Sequence, residues 1–121
     1  MKLREIYEKA VDTGMTSDPR GREAALKDLQ RTGRDYAALK PEEKEFFDRE
    51  SLQNPYADSR ILNGLGDEDV KTILIGIDIE VGEILLCESL RGRGEPIDLV
   101  MSHPSGGHGL CQPVFCNAYA V

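Results

Sequence analysis

The residues with chemical reach gather in the second half of the chain, where apolar runs give way to polar groups. His103 directly follows an apolar run at 97–102 that reads as a buried strand. An imidazole there would stand at the mouth of a sheet, where metal ligands and acid–base groups are useful. The plainer reading is a loop histidine with no role. Asp78 and Glu80 stand at a second strand end, and Asp78 is placed to cap the helix that follows, the reading favoured here. The glycine-rich stretch Pro104-Ser105-Gly106-Gly107-His108-Gly109 could wrap a phosphate. It lacks both the spacing of a phosphate-binding loop and a following lysine, so the signal is weak. Cys111 and Cys116 lie five apart with no second pair, which fits reduced thiols better than a structural zinc site.

Two kinds of element must position these groups. Leu3, Ile6, Tyr7, Ala10 and Val11 form the stripe of an amphipathic helix over residues 2–13, which Gly14 is expected to end. Asp18-Pro19 reads as the start of a second helix running to about Leu39, with Ala25, Leu26, Leu29, Tyr36 and Leu39 inward and Gly33 weakening it. Pro41 begins a short third helix through Phe47, and Asn54-Pro55 closes it. Residues 60–62 are a short strand candidate, followed by the acidic turn Gly66-Asp67-Glu68-Asp69. Residues 70–78 are too apolar to alternate and predict a strand covered on both faces. Residues 79–91 read as a helix with Ile84, Leu85 and Leu90 inward, and 97–102 as another strand. Strand, helix and strand in this order make a βαβ unit with parallel pairing and a right-handed crossover. The fold class expected is α/β, with N-terminal helices followed by a partial parallel sheet.

Composition narrows the function classes. Asp and Glu outnumber Lys and Arg by 22 to 15, a net charge of −7, which argues against nucleic acid or an anionic membrane as a partner. No apolar stretch approaches the ~20 residues of a membrane helix. The first residues enter a charged amphipathic pattern directly, with no signal-peptide core, so a soluble, cytoplasmic chain is expected. Three cysteines do not make a disulfide framework. Beyond Asp98 there is no Asp, Glu, Lys or Arg at all.

The run "NPYADSRILNG", followed by "DVKTILIGIDIEVGEILLCESL" and "PIDLVMSH", resembles the Nif-three-like family, also described as GTP cyclohydrolase I type 2 homologues. Family members show an amphipathic first helix, a W-D-N-x-G-L-x-x-G-like stretch, a V-x-x-x-L-x-x-x-D-like strand before a helix, and a strand ending in H-H-P. Residues 3–11 match the first helix, 56–64 the second element and 70–78 the third, with 19–50 as a helical insertion. The resemblance covers residues 1–104 and implies an α/β fold holding two divalent metal ions, with hydrolase-like chemistry. Of the family's ligands only His103 carries over. Pro104 stands where the second histidine of H-H-P would be, and the later ligands fall beyond Val121. One ligand cannot assemble a two-metal site.

The charge-free tail has a concrete explanation. One set of codons for residues 103–120, with a single C removed from the codon of Pro104 and the first base of the Val121 codon included, reads H-H-P-E-G-M-G-F-A-N-L-Y-F-V-M-P-M-Q. This restores the family's histidine pair. The chain is therefore expected to be a frameshifted, truncated product with a non-native tail at 105–121, inactive, with no tightly bound metal and prone to form homo-oligomers or aggregates. The competing expectation is a small acidic, non-enzymatic α/β interaction module that works through residues 19–50.

Overall fold

Helix α1 (Leu3–Ser17) begins on the acidic turn. The first backbone N–H groups of a helix have no partner within it. Here Lys2 N donates to Glu5 Oε2 at 2.8 Å, Leu3 N to the Glu68 carbonyl at 3.0 Å, and Arg4 N to the Gly66 carbonyl at 2.9 Å. The computed structural model describes residues 1–77, 79–102 and 117–120. The expected stripe is present, with Leu3 and Val11 buried and Ile6, Tyr7 and Ala10 half-buried. It extends through Gly14 and Met15, so Gly14 does not end the helix. The Tyr56 ring lies against Gly14, and an added Cβ would stand 3.0 Å from Tyr56 Cε2. Close packing, rather than chain termination, is why glycine stands there.

Helix α2 (Arg22–Ala38) starts later than Asp18-Pro19 suggests. Asp18 organises the turn ahead of it: its carboxylate accepts from Arg20 N at 2.9 Å and its carbonyl from Gly21 N at 2.8 Å. Gly21 then adopts φ +83°, a backbone conformation open to glycine, and serves as the N-cap. Ala25 is fully buried and Leu29 packs against the same cluster, whereas Leu26 is exposed. Helix α3 (Pro41–Lys44) stops short of the two phenylalanines. Phe47 stacks obliquely on Tyr36, with ring centroids 4.8 Å apart, and Phe46 is left outside. A 3-10 turn (Arg49–Leu52), opened by Asp48 accepting from Glu50 N, leads to the sheet.

Strands β1 (Arg60–Asn63), β2 (Ile73–Gly76), β3 (Leu99–Ser102) and β4 (Asn117–Ala120) form one sheet in the order β1-β4-β3-β2, and helix α4 (Val81–Gly92) connects β2 to β3. The β2–α4–β3 unit pairs in parallel as expected, with Ile73 opposite Leu99 and Gly76 opposite Ser102. The fold is α/β with N-terminal helices. The sheet is mixed rather than wholly parallel. Residues 117–120, inside the segment read as a tail, supply β4, which is antiparallel to β3 and parallel to β1.

Helices cover both faces of β3. Leu99 and Met101 join Leu3, Ile6, Ile61 and Val70 under α1, while Val100 joins Leu74, Cys87, Leu90 and Ile97 under α4. Leu99 and Val100 are fully buried, and this pair of opposed clusters is the centre of the core. A third cluster, Val11, Met15, Ala25 and Tyr56, joins α1 to α2.

Two expectations of burial are overturned. Strand β2 is not covered on both faces: among the described residues it is the outer strand of the sheet, and the cluster under α1 contains no β2 residue. Leu74 is packed, but Ile75 and Ile77 are 66% and 70% exposed. In α4 the inward positions are Cys87 and Leu90, and Ile84 and Leu85 face outward. Among the described residues, no helix is long and apolar enough to cross a membrane.

Candidate functional site

Ligand-binding residues of parallel βαβ units collect beyond the C-terminal ends of the strands. In this chain those ends are Gly76 and Ser102, held abreast by the β2–β3 register. Ser102 reinforces the junction from β3, its hydroxyl donating to the Ile77 carbonyl at 3.4 Å. Ser102 is buried, so the hydroxyl needs this partner. From here the chain runs directly into His103 on one side and through Asp78 toward α4 on the other.

His103, His108, Cys111, Cys116 and Asp78 lie outside the described residues, as does the glycine-rich stretch at 104–109. Glu80, the remaining candidate, is exposed and is the N-cap of α4; its backbone N–H donates to Glu83 Oε2 at 2.9 Å. That reciprocal use of Glu83 also sets a carboxylate at the positive end of the helix. Helix capping therefore accounts for the Glu80–Glu83 pair. Among the described residues, no three His, Cys, Asp or Glu side chains converge to hold a metal ion. The two-ion centre that the resemblance implies is thus not assembled from the described side chains.

The structure does gather polar groups that spacing along the chain does not announce. The Tyr7 hydroxyl donates to Glu50 and accepts from Asn54 Nδ2 at 2.9 Å, linking α1 to the 3-10 turn. Arg60, mostly covered, pairs with Asp48 at 2.6 Å, and its Nη1 lies 3.1 Å from Glu50 but out of line for a hydrogen bond. Burial and the Glu50 carboxylate push the Tyr7 phenol up to about 12. A phenol held that firmly protonated is a structural donor and not a base near neutral pH.

A second network surrounds Asp18. Its carboxylate accepts from Arg20 Nε at 3.1 Å, Arg20 Nη2 at 2.9 Å and the Tyr56 hydroxyl at 3.2 Å. The Arg20 hydrogen bonds hold Asp18 down at about 2. Burial and the Asp18 charge push Tyr56 up to about 12. The first network ties α1 and the 3-10 turn to the start of β1 through Arg60, and the second ties the turn between α1 and α2 to Tyr56. A shallow depression on α1, lined by Glu5, Glu8, Lys9, Asp12 and Thr13, is exposed and acidic.

No protein-family model, curated protein or solved structure matches this chain.

Proposed function

We propose that residues 1–104 are the N-terminal α/β portion of a Nif-three-like, hydrolase-like protein whose two metal ions are held mainly by residues this chain does not contain. His103 is the ligand it contributes. The observation that supports this reading is the parallel β2–α4–β3 unit whose two strand ends lie abreast immediately before His103. The order of elements agrees with it: an amphipathic helix, a helical insertion, a short strand, then the βαβ unit. With a single imidazole carried over from the family's ligand set, the chain as it stands is proposed to lack hydrolytic activity.

Calorimetric titration with zinc and with manganese tests the proposal. The 121-residue chain is expected to show no tight stoichiometric binding. A gene lacking one base in the codon of Pro104, so that H-H-P is restored and the frame continues, is expected to encode a chain that binds two ions. Tight binding by the present chain would overturn the reading and promote His103, His108 and the cysteines to a site of their own.

One observation favours the interaction-module alternative. Phe46, within the 19–50 segment, is 88% exposed in the bend that follows α3, among mostly charged neighbours. Aromatic side chains, phenylalanine among them, are enriched in the buried core of protein interfaces. Loss of a captured partner on Phe46→Ala, with metal binding absent throughout, would favour it.

A further inference from the structure

Strand β2 is the outer strand of the sheet, so one side of its backbone has no ladder partner among the described residues. Soluble proteins protect such an edge with charge, proline, a bulge or a covering loop. From Thr72 to Ile77 this edge has no charged residue and no proline, and it pairs with β3 in unbroken register. Ile73, Ile75 and Ile77 occupy alternate positions and are 36%, 66% and 70% exposed. Ile73 and Ile75 share a sheet face with Leu99 and Met101, because they are their register partners.

We propose that the β2 edge is the interface of a symmetric dimer, in which β2 of one copy pairs antiparallel with β2 of a second. The run Ile73-Leu74-Ile75-Gly76-Ile77 is self-complementary about its centre. Antiparallel pairing sets Ile75 against Ile75 of the second copy and Ile73 against its Ile77. A two-fold axis normal to the sheet keeps like faces together, so six isoleucines line one trough between the two α1 layers. This is an isologous contact, the commonest way for identical chains to close. Each copy contributes roughly 300 Å2 of exposed isoleucine surface, the lower end of the range for the largest apolar patch of a typical monomer. With the strand edges themselves, the total reaches on the order of 1,000 Å2, the lower bound for a specific interface. A weak, concentration-dependent dimer follows, one that added salt tightens by screening the −7 charge on each copy. The inference does not rest on the metal reading, since none of the three isoleucines is a candidate metal ligand.

Sedimentation equilibrium of the full chain over a range of concentrations tests it, alongside Ile75→Lys and Ile75→Thr. The unsubstituted chain is expected to pass from monomer to dimer. Lysine at position 75 places two like charges opposite each other across the axis, and is expected to weaken the dimer by roughly tenfold or more. Threonine, which keeps the strand preference, is expected to weaken it less. Circular dichroism checks that each variant folds. Should Ile75→Lys not fold, hydrogen exchange on the unsubstituted chain decides, because the outward amides of 73–77 should slow as concentration rises. A monomer at all concentrations, or a dimer indifferent to both substitutions with no slowing at 73–77, overturns the proposal.

Discussion

The hydroxyl of Tyr56 donates to the buried carboxylate of Asp18 across 3.2 Å, although 38 residues separate them in sequence. The same tyrosine ring lies on Gly14 of α1, so one side chain links the α1–α2 turn, the first helix and the approach to the sheet. The pH and packing behaviour of the N-terminal half follows from this arrangement.

Asp18 is held at about 2 by the Arg20 hydrogen bonds, below its ordinary value of 3.8. A carboxylate with a lowered folded-state value stabilises the fold above its unfolded value and loses that contribution as pH falls through the folded one. Urea denaturation at stepped pH is therefore expected to show stability declining from about 4 toward 2. Asp18→Asn should lower the midpoint at pH 7 and flatten that decline. An unchanged acid limb in the variant would falsify the assignment.

The two tyrosines act at the opposite end of the scale. Tyr7 and Tyr56 are both pushed from 10.0 up to about 12, by burial first of all. A raised value means the protonated form is favoured in the fold, so stability is complete below about 10 and is lost as pH rises toward 12. Tyr7→Phe removes a hydrogen bond to a charged group and is expected to cost about 1–2 kcal/mol at neutral pH. It should also reduce the alkaline loss, followed by the ultraviolet titration of tyrosinate against unfolding.

Two glycines in helices should respond oppositely to alanine. At Gly14 the new Cβ would meet the Tyr56 ring at 3.0 Å, and that ring is anchored through its hydroxyl. Gly14→Ala is expected to destabilise by about 1–2 kcal/mol, overpacking outweighing the gain in helix propensity. At Gly33, inside α2, no atom lies within 4 Å of the added Cβ. Gly33→Ala is expected to stabilise by about 0.5–1 kcal/mol. Equal shifts of the same sign in guanidinium midpoints would contradict the packing account.

Position along β3 and α4 sets the cost of truncating leucines. Leu99 is fully buried under α1 in the cluster with Leu3 and Val70, and Leu99→Ala is expected to cost about 3–5 kcal/mol. Leu85 is 64% exposed, and Leu85→Ala should stay within about 0.5 kcal/mol. Thermal unfolding of the two variants compares them directly. A large loss at Leu85 would show that α4 is turned differently about its axis.

Local periodicity was enough to determine most elements from the sequence. The 3,4-spaced stripe from Leu3 to Val11 specifies α1, and the β-branched run around Ile75 and the apolar run around Val100 specify two strands joined by a helix. Their parallel pairing follows as well, since a strand–helix–strand of this length has one ordinary way to close. Which faces are covered was decided by the tertiary structure alone. Apolar content cannot distinguish a strand buried on both faces from an edge strand, because that depends on strand order, and strand order is set by contacts far apart in sequence. Within α4 the apolar residues are spread around the axis, so their sequence does not say that Cys87 and Leu90 face the sheet while Leu85 does not. The Asp18–Tyr56 and Tyr7–Glu50 pairs span 38 and 43 residues, and only folding brings their partners within reach. The sequence also singles out His103 as the chemical candidate, while the structure establishes the paired strand ends at Gly76 and Ser102 that lead to it. Spacing reports the local face a residue occupies, whereas burial and polar pairing depend on what the rest of the chain lays against that face.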